Sequence, residues 1–395
     1  MQIEPPPQMS KQTKDRPSYL LKEFDKSLYI ASHFGFIPTD GPRVNDSDLK
    51  QTEELKNFGE DKVWHDAAEK AAFLRTYVEK DFASLPHPLS IAYRKSEPGK
   101  RTHDYCLHIL GFPQAMAEAI LIRTALSILE ESGYKKLVVE INTIGDKDSI
   151  ASYERELSNY AKKITSDLDN EHKKRLKDNM FELLKINLPE NSFAHIPPSI
   201  GSLTTASRAH FKEMLECIEH LNVEFRLAHT LVGNPKYNSH TIFAIRDLED
   251  ESLLASGARY SRLSKKVGFK KELPAVSITV FDSQKRQEKE SMKRIYNDLP
   301  KPKFYLIQLG CEAKLKALPL IELLRSNKIS VHHFLGRDKL TAQLSSAESY
   351  KVPYLLILGQ KEALDNTVTV RNISTRAQET IKTPLLVEYL KHIAL

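Results

Sequence analysis

Cysteine is scarce. Cys106, Cys217 and Cys311 are the only three among 395 residues. Their odd number and wide spacing argue against a disulfide framework, and no CxxC or Cys/His spacing offers a zinc module. A reducing cytoplasm fits best. Long apolar runs are also missing. Stretches such as YLLILG fall far short of the roughly 20 residues a membrane helix needs. The N-terminus, MQIEPPPQMSKQTKDRP, has no apolar core, so it is not a secretory signal. Its composition reads as a disordered tail over residues 1–16. No GxxxxGK[ST], GxGxxG or GxSxG occurs. GKRT at Gly99 lacks the upstream glycine and the Ser/Thr of a phosphate loop. Neither charge sign dominates: 58 Lys and Arg face 52 Asp and Glu, a net charge of +6 with pI near 8.9. That permits a polyanionic partner without requiring one.

What is present is the composition of a soluble globular protein, 41% hydrophobic and 28% charged, long enough for two or three domains. SYLLKEFDKSLYIASHFG has apolar residues at helical spacing and ends at Gly35, a C-terminal cap. DLKQTEELKNFG, AAEKAAFLRTYVEKDF and AMAEAILIRTALSILEES read as helices. LSIAYRK, YCLHILG and KLVVEI read as strands. Residues of about 146–222 are helical and polar, an insertion. VEFRLA, TIFAI, LLASG and AVSITV bring strands back. Residues 17–297 are thus expected to form one mainly antiparallel sheet with helices. NDLPKPK marks a boundary. From 303 to 395, strand and helix alternate as βαβαβ, a compact α/β domain with a largely parallel sheet.

Several residue groups bear on chemistry. His332 and His333 are adjacent and point to opposite faces of a strand, which argues against a metal site. His103 and His108 flank Cys106, but an ordinary structural role is expected of them. RYSRLSKKVGFKKE places Arg259, Arg262, Lys265, Lys266, Lys270 and Lys271 close together, a density that can bind phosphates or form a solvated face.

LVVEINTIGDKDSIASYERELSNY and LGRDKLTAQLSSAESYKVPYLLILGQKEALDNTVTVRN carry a resemblance. Together with the order of the remaining segments they resemble the histidyl-tRNA synthetases, class II aminoacyl-tRNA synthetases. The resemblance implies an α+β class II core with a helical insertion and a C-terminal α/β anticodon-binding domain. It implies a homodimer through the family's first motif, with Pro42 of GFIPTDGPRV at the proline position. It places Arg94 of YRKS, and Arg259 of SGARYSRL, as candidates for ATP. Asp66, Tyr237 and Tyr260 become candidates for the amino-acid pocket. Arg337, Lys339 and Gln343, which start a helix in a basic loop, become candidates for RNA contact.

The same resemblance exposes losses. LVGNPKYNSHTIFAI stands where the family has Leu-Val-Arg-Gly-Leu-Asp-Tyr-Tyr. The catalytic arginine becomes Gly233, the aspartate becomes Lys236 and the second tyrosine becomes Asn238. Gln284 replaces the arginine that meets the ATP γ-phosphate. Ser96 and His108 replace glutamates. Activation of an amino acid builds negative charge on phosphate oxygens, and removing a fixed cation from such a site costs of order 10²–10³ in rate. The expectation is a synthetase-like protein without standard histidine activation, binding tRNA or another structured RNA. The alternatives are a divergent active histidine–tRNA ligase, which would use ATP with magnesium as cofactor, and a regulatory subunit resembling the partner of ATP phosphoribosyltransferase. No metal site is expected otherwise.

Overall fold

The computed structural model describes residues 20–55, 67–96, 103–164, 168–186, 195–221, 223–281, 295–299, 301–337 and 339–393. The N-terminal tail, Asp66 and Gln284 lie outside them. Eight strands form the larger sheet: β1 (Ile37–Pro38), β2 (Leu89–Ser96), β3 (His103–Leu110), β4 (Leu137–Thr143), β5 (Phe225–Leu227), β6 (Ser239–Asp247), β7 (Leu253–Arg259) and β8 (Ala275–Val280). Their order is β1-β2-β3-β8-β7-β6-β4-β5. The β1–β2 and β4–β5 joins are parallel and the rest antiparallel.

The helices follow from caps and apolar spacing. Asp25 caps α1 (Lys26–His33) through the Leu28 N–H, and Gly35 ends it at φ +85°. The helix is shorter than its sequence pattern, because Phe24 instead bridges Tyr296. Asn45 and Asp48 close a capping box on α2 (Asp46–Gln51). Helix α3 (Ala67–Glu79) covers one face of the sheet. Helix α4 (Met116–Glu131) backs the other, with every residue from Met116 to Leu129 buried. A helix that is apolar all round needs cover on every side. The sheet lies on one side, and α1, α7 (Thr205–His220) and α9 (Cys311–Ser326) supply the others. The expected insertion is therefore not one separate body. Its α5 (Lys147–Lys163) and α6 (Asn170–Asp178) share a small apolar core with Val232, Ile242 and Ala258, while α7 belongs to the main core.

The second sheet has five strands in the order β10-β9-β11-β12-β13. These are β9 (Phe304–Gln308), β10 (Val331–His333), β11 (Tyr354–Leu358), β12 (Thr367–Asn372) and β13 (Gln378–Lys382). The expected parallel βαβαβ unit is there, with α9 and α10 (Leu340–Tyr350) as its crossovers. The sheet is mixed rather than largely parallel, because β12 and β13 add an antiparallel hairpin. Helices α11 (Gln360–Asp365) and α12 (Thr383–Ile393) complete the domain.

The domain docks on the back of α4. Ser127 Oγ donates to Glu322 at 2.9 Å, and Arg325 meets Glu131 at 3.3 Å. At the same joint the His33 carbonyl lies 3.2 Å from His333 Nε2. Burial depresses His33, His332 and His333 to about 4, and does the same to His210 and His240, whose rings lie tilted to one another, 4.6 Å apart, between α7 and β6. An unfolded histidine titrates near 6.5. Between about pH 6.5 and pH 4 the unfolded chain therefore binds more protons, and stability falls as pH drops through that window. Each buried histidine contributes up to about 2 kcal/mol of loss at pH 5. Urea unfolding at pH 7 and pH 5 is expected to give a clearly lower midpoint at pH 5, and an unchanged midpoint would contradict it.

Among the described residues no helix is long and apolar enough to cross a membrane.

Candidate functional site

Side chains alternate along a strand, so β2 sends Tyr93 and Lys95 to one face and Arg94 to the other. Register then selects the companions of Tyr93. Tyr93 pairs with Cys106, and His108 pairs with Ser277, which pairs with Ala258. All of these share the face that α3 covers. Helix α3 contributes Glu69 and Phe73 to it, and Tyr260 follows β7 onto the same side.

These groups form one connected network. The Tyr93 hydroxyl donates to Glu69 Oε1 at 2.9 Å, and the Cys106 thiol reaches the same oxygen at 3.2 Å. Lys95 Nζ donates to Glu69 Oε2 at 2.8 Å. Tyr93 also lies 3.0 Å from His108 Nε2, and Tyr260 lies 2.8 Å from His108 Nδ1. The network itself assigns the protons. Tyr93 spends its proton on Glu69, so it accepts from Nε2–H. That leaves Nδ1 to accept from Tyr260. Burial, with Glu69 adding to it, pushes the Tyr260 hydroxyl well above its ordinary range, so it keeps its proton. Phe73 stacks on His108 with ring centroids 4.0 Å apart. Aromatic rings and satisfied polar groups thus occupy this face. Beside them, Lys70, Tyr237, Asn238, Ser256, Ala258 and Ser277 help to line a space of only about 10 Å³, about the room for one water.

The loop before β6 is equally self-contained. Gly233 sits at φ +55°. Asn238 Oδ1 accepts from the Asn234 N–H at 2.8 Å, and Asn234 Nδ2 donates to the Leu55 carbonyl at 2.9 Å. Arg262 crosses to the Pro235 carbonyl at 2.8 Å, and burial lowers its pKa. Lys236 points outward to the Glu54 carbonyl at 2.8 Å. Residues 233–238 hold a turn together. Placing an arginine at position 233 meets two obstacles. The backbone is left-handed there, and a Cβ would lie 2.9 Å from Asn238 Oδ1. Gly233→Arg is expected to lower stability by about 1–2 kcal/mol. It is expected to restore no histidine-dependent ATP–pyrophosphate exchange. Denaturant unfolding and the exchange assay check the two halves.

Of the sequence-derived candidates, the structure brings together Tyr237 and Tyr260, both buried on this face. It does not bring in the arginines. Arg94 points to the opposite side, where it is about half exposed, lies 3.9 Å from Asp25 and lines a separate cavity of about 220 Å³ with Glu23, Asp25 and Asp40. Arg259 also faces the back of the sheet. Its Nε and Nη2 donate to Glu118 on α4 at 2.9 and 2.6 Å, and its other donors meet the Phe112 and Gln114 carbonyls. Strand alternation turns both away from the tyrosines, so the described residues do not fit ATP phosphates at this pocket. Among the described residues no group of three His, Cys, Asp or Glu side chains is placed to hold a metal ion. Glu69 supplies the buried carboxylate on this face, whereas Asp66 lies outside the described residues. Pro42 falls beyond β1, and the strand's own proline is Pro38, paired with Ala92.

The basic run from 259 to 271, which includes the short helix α8 (Ser261–Lys266), divides. Arg259 and Arg262 are spent internally, Lys266 pairs with Glu54 at 2.8 Å, and Lys265, Lys270 and Lys271 are exposed. In the C-terminal domain, Gln343 is fully buried and bonds both backbone groups of Gln308. It cannot touch RNA. Arg337 braces α10 through Ser346 at 2.6 Å and lies over the Phe334 ring. Lys339 alone of the three is exposed.

Residues 303–393 match the anticodon binding domain family. The histidine–tRNA ligase of Ehrlichia ruminantium (strain Gardel) is 27% identical over 391 residues, covering 92% of each chain. That of Thermosynechococcus vestitus is 26% identical over 297 residues, 72% of this chain and 68% of the relative.

Over most of its length the chain is similar to histidine–tRNA ligases.

The apo histidyl-tRNA synthetase of S. aureus has the same fold, with a TM-score of 0.50 and 18% identity over 91% of this chain and 92% of that one. The two sheets are accordingly the class II synthetase core and its anticodon-binding domain. At 26–27% identity, both ligases are distant relatives of this chain.

Proposed function

We propose that this chain is a histidyl-tRNA synthetase family member that no longer activates histidine and serves as a homodimeric binder of tRNA or another structured RNA. The observation that supports the first part is the network of Glu69, Tyr93, His108 and Tyr260. It fills the pocket face and uses up the polar groups that a ligand would need. Charge supports the second part. Residues 301–395 hold 14 Lys and Arg against 8 Asp and Glu, a net +6 equal to that of the whole chain. Positive charge collected on one domain favours phosphate contact and release of counterions. The homodimer rests on the family resemblance, and light scattering tests it. The RNA reading is tested by titrating the full-length protein with transfer RNA at several salt concentrations. Binding that weakens linearly in log affinity against log salt is expected. Absence of binding even at low salt would overturn it.

A further inference from the structure

One end of the smaller sheet carries aromatic rings among lysines, and none of these residues belongs to the pocket described above. Tyr350 is the last residue of α10 and is 55% exposed. One face of its ring is already taken: His332 on β10 stacks against it with centroids 3.9 Å apart and planes at 24°. Tyr305, buried on β9, stands behind at 6.2 Å. The exposure of Tyr350 therefore belongs to its other face and edge. Burial keeps His332 from charging near neutrality, so the stack persists as a neutral pair.

Register places the cations. β10 and β11 both run parallel to β9, with Val331 and Tyr354 level with Phe304. The residues just before these strands share one end of the sheet: Lys301 before β9, Lys328 before β10 and Lys351 before β11. All three lysines are exposed. Lys351 follows Tyr350 directly, at φ +53°. A held ring with one open face beside several ammonium groups is the pattern that binds unpaired bases and their phosphates. A protein surface is a poorer match, because one ring among mobile lysines offers little apolar area to bury.

We propose that Tyr350, backed by His332, is a stacking platform for an unpaired RNA base, with Lys301, Lys328 and Lys351 meeting the flanking phosphates. It rests on the RNA-binding reading and gives it a place: the β10 edge of the domain. The pre-stacked ring loses little freedom on binding, which favours it over a mobile tyrosine.

The test uses the full-length protein and a single-stranded oligoribonucleotide carrying 2-aminopurine at an internal position. Wild-type protein is expected to bind it and quench its fluorescence by stacking. Tyr350→Ala is expected to weaken binding about 5- to 100-fold and abolish the quench, while Tyr350→Phe keeps both. Lys328→Ala and Lys351→Ala are each expected to reduce the salt slope by about one, with the quench retained. Tyr350→Ala gives up the stack on His332, about 0.5–1.5 kcal/mol, and is expected to stay folded. RNA binding with no quench, or with Tyr350→Ala at wild-type affinity, would overturn the platform and leave the RNA reading standing. No binding of any RNA by the wild type would overturn both.

Discussion

Replacing Arg259 with alanine is expected to lower the unfolding free energy by about 3–5 kcal/mol. The side chains of Arg259 and Glu118 are 3% and 0% exposed, joined by two hydrogen bonds. Without the guanidinium, Glu118 is a buried carboxylate with its main partner gone, and the Phe112 and Gln114 carbonyls lose a donor as well. Breaking one side of a buried pair costs far more than removing both. The double variant Arg259→Met with Glu118→Leu is therefore expected to recover much of the loss. Urea unfolding of the single and double variants measures this. A residue kept for ATP would behave differently. Its alanine variant would fold at normal stability, and the double variant would gain nothing.

Gln343→Ala is expected to cost about 2–4 kcal/mol. The side chain accepts from the Gln308 N–H at 3.1 Å and donates to the Gln308 carbonyl at 2.8 Å, in a fully buried setting. Gln308 ends β9, so the amide joins α10 to the middle one of the three parallel strands. Alanine would leave a buried donor and acceptor unmet. RNA affinity of the folded fraction should stay unchanged. Lys339→Ala makes the contrast: no more than about 0.5 kcal/mol in stability, with a weaker, less salt-dependent affinity for RNA. If Gln343→Ala unfolded at the wild-type midpoint and weakened RNA binding, the structural role given to it would be wrong.

Local pattern carried most of the fold. α4 is legible as a helix because its alanines and leucines favour one, and its unbroken burial takes in Glu118 and Arg123 as well as its apolar residues. β6 and β8 are legible from their β-branched residues. The sequence pattern extends α1 too far, because what stops it is the pairing of Phe24 with Tyr296, a contact about two thirds of the chain away. The hairpin of β12 and β13 was missed, although TVTVRN alternates as a strand should.

At the site, residue identity was readable and direction was not. A motif places Arg94 and Arg259 in a row of letters. Only strand parity and register reveal that Tyr93 and Ala258, their neighbours, hold the pocket face. That parity could have been read from β2 alone, since Ile91, Tyr93 and Lys95 alternate with Ala92 and Arg94. Glu69 gave no such signal. Its importance comes from α3 lying over β2 and β3, which no local window contains. Gln343 misled for a related reason: a polar residue in a basic loop looks exposed until its partner on β9 is known.

The central claim is that the pocket face has become a packed, self-satisfied surface. Histidine-dependent ATP–pyrophosphate exchange on the purified full-length protein tests it most directly, with an active histidyl-tRNA synthetase run alongside. The account predicts no exchange above the level seen without histidine. Exchange at a rate comparable with the active synthetase would contradict it, because Tyr93, His108 and Tyr260 would then have to yield their places to histidine and ATP.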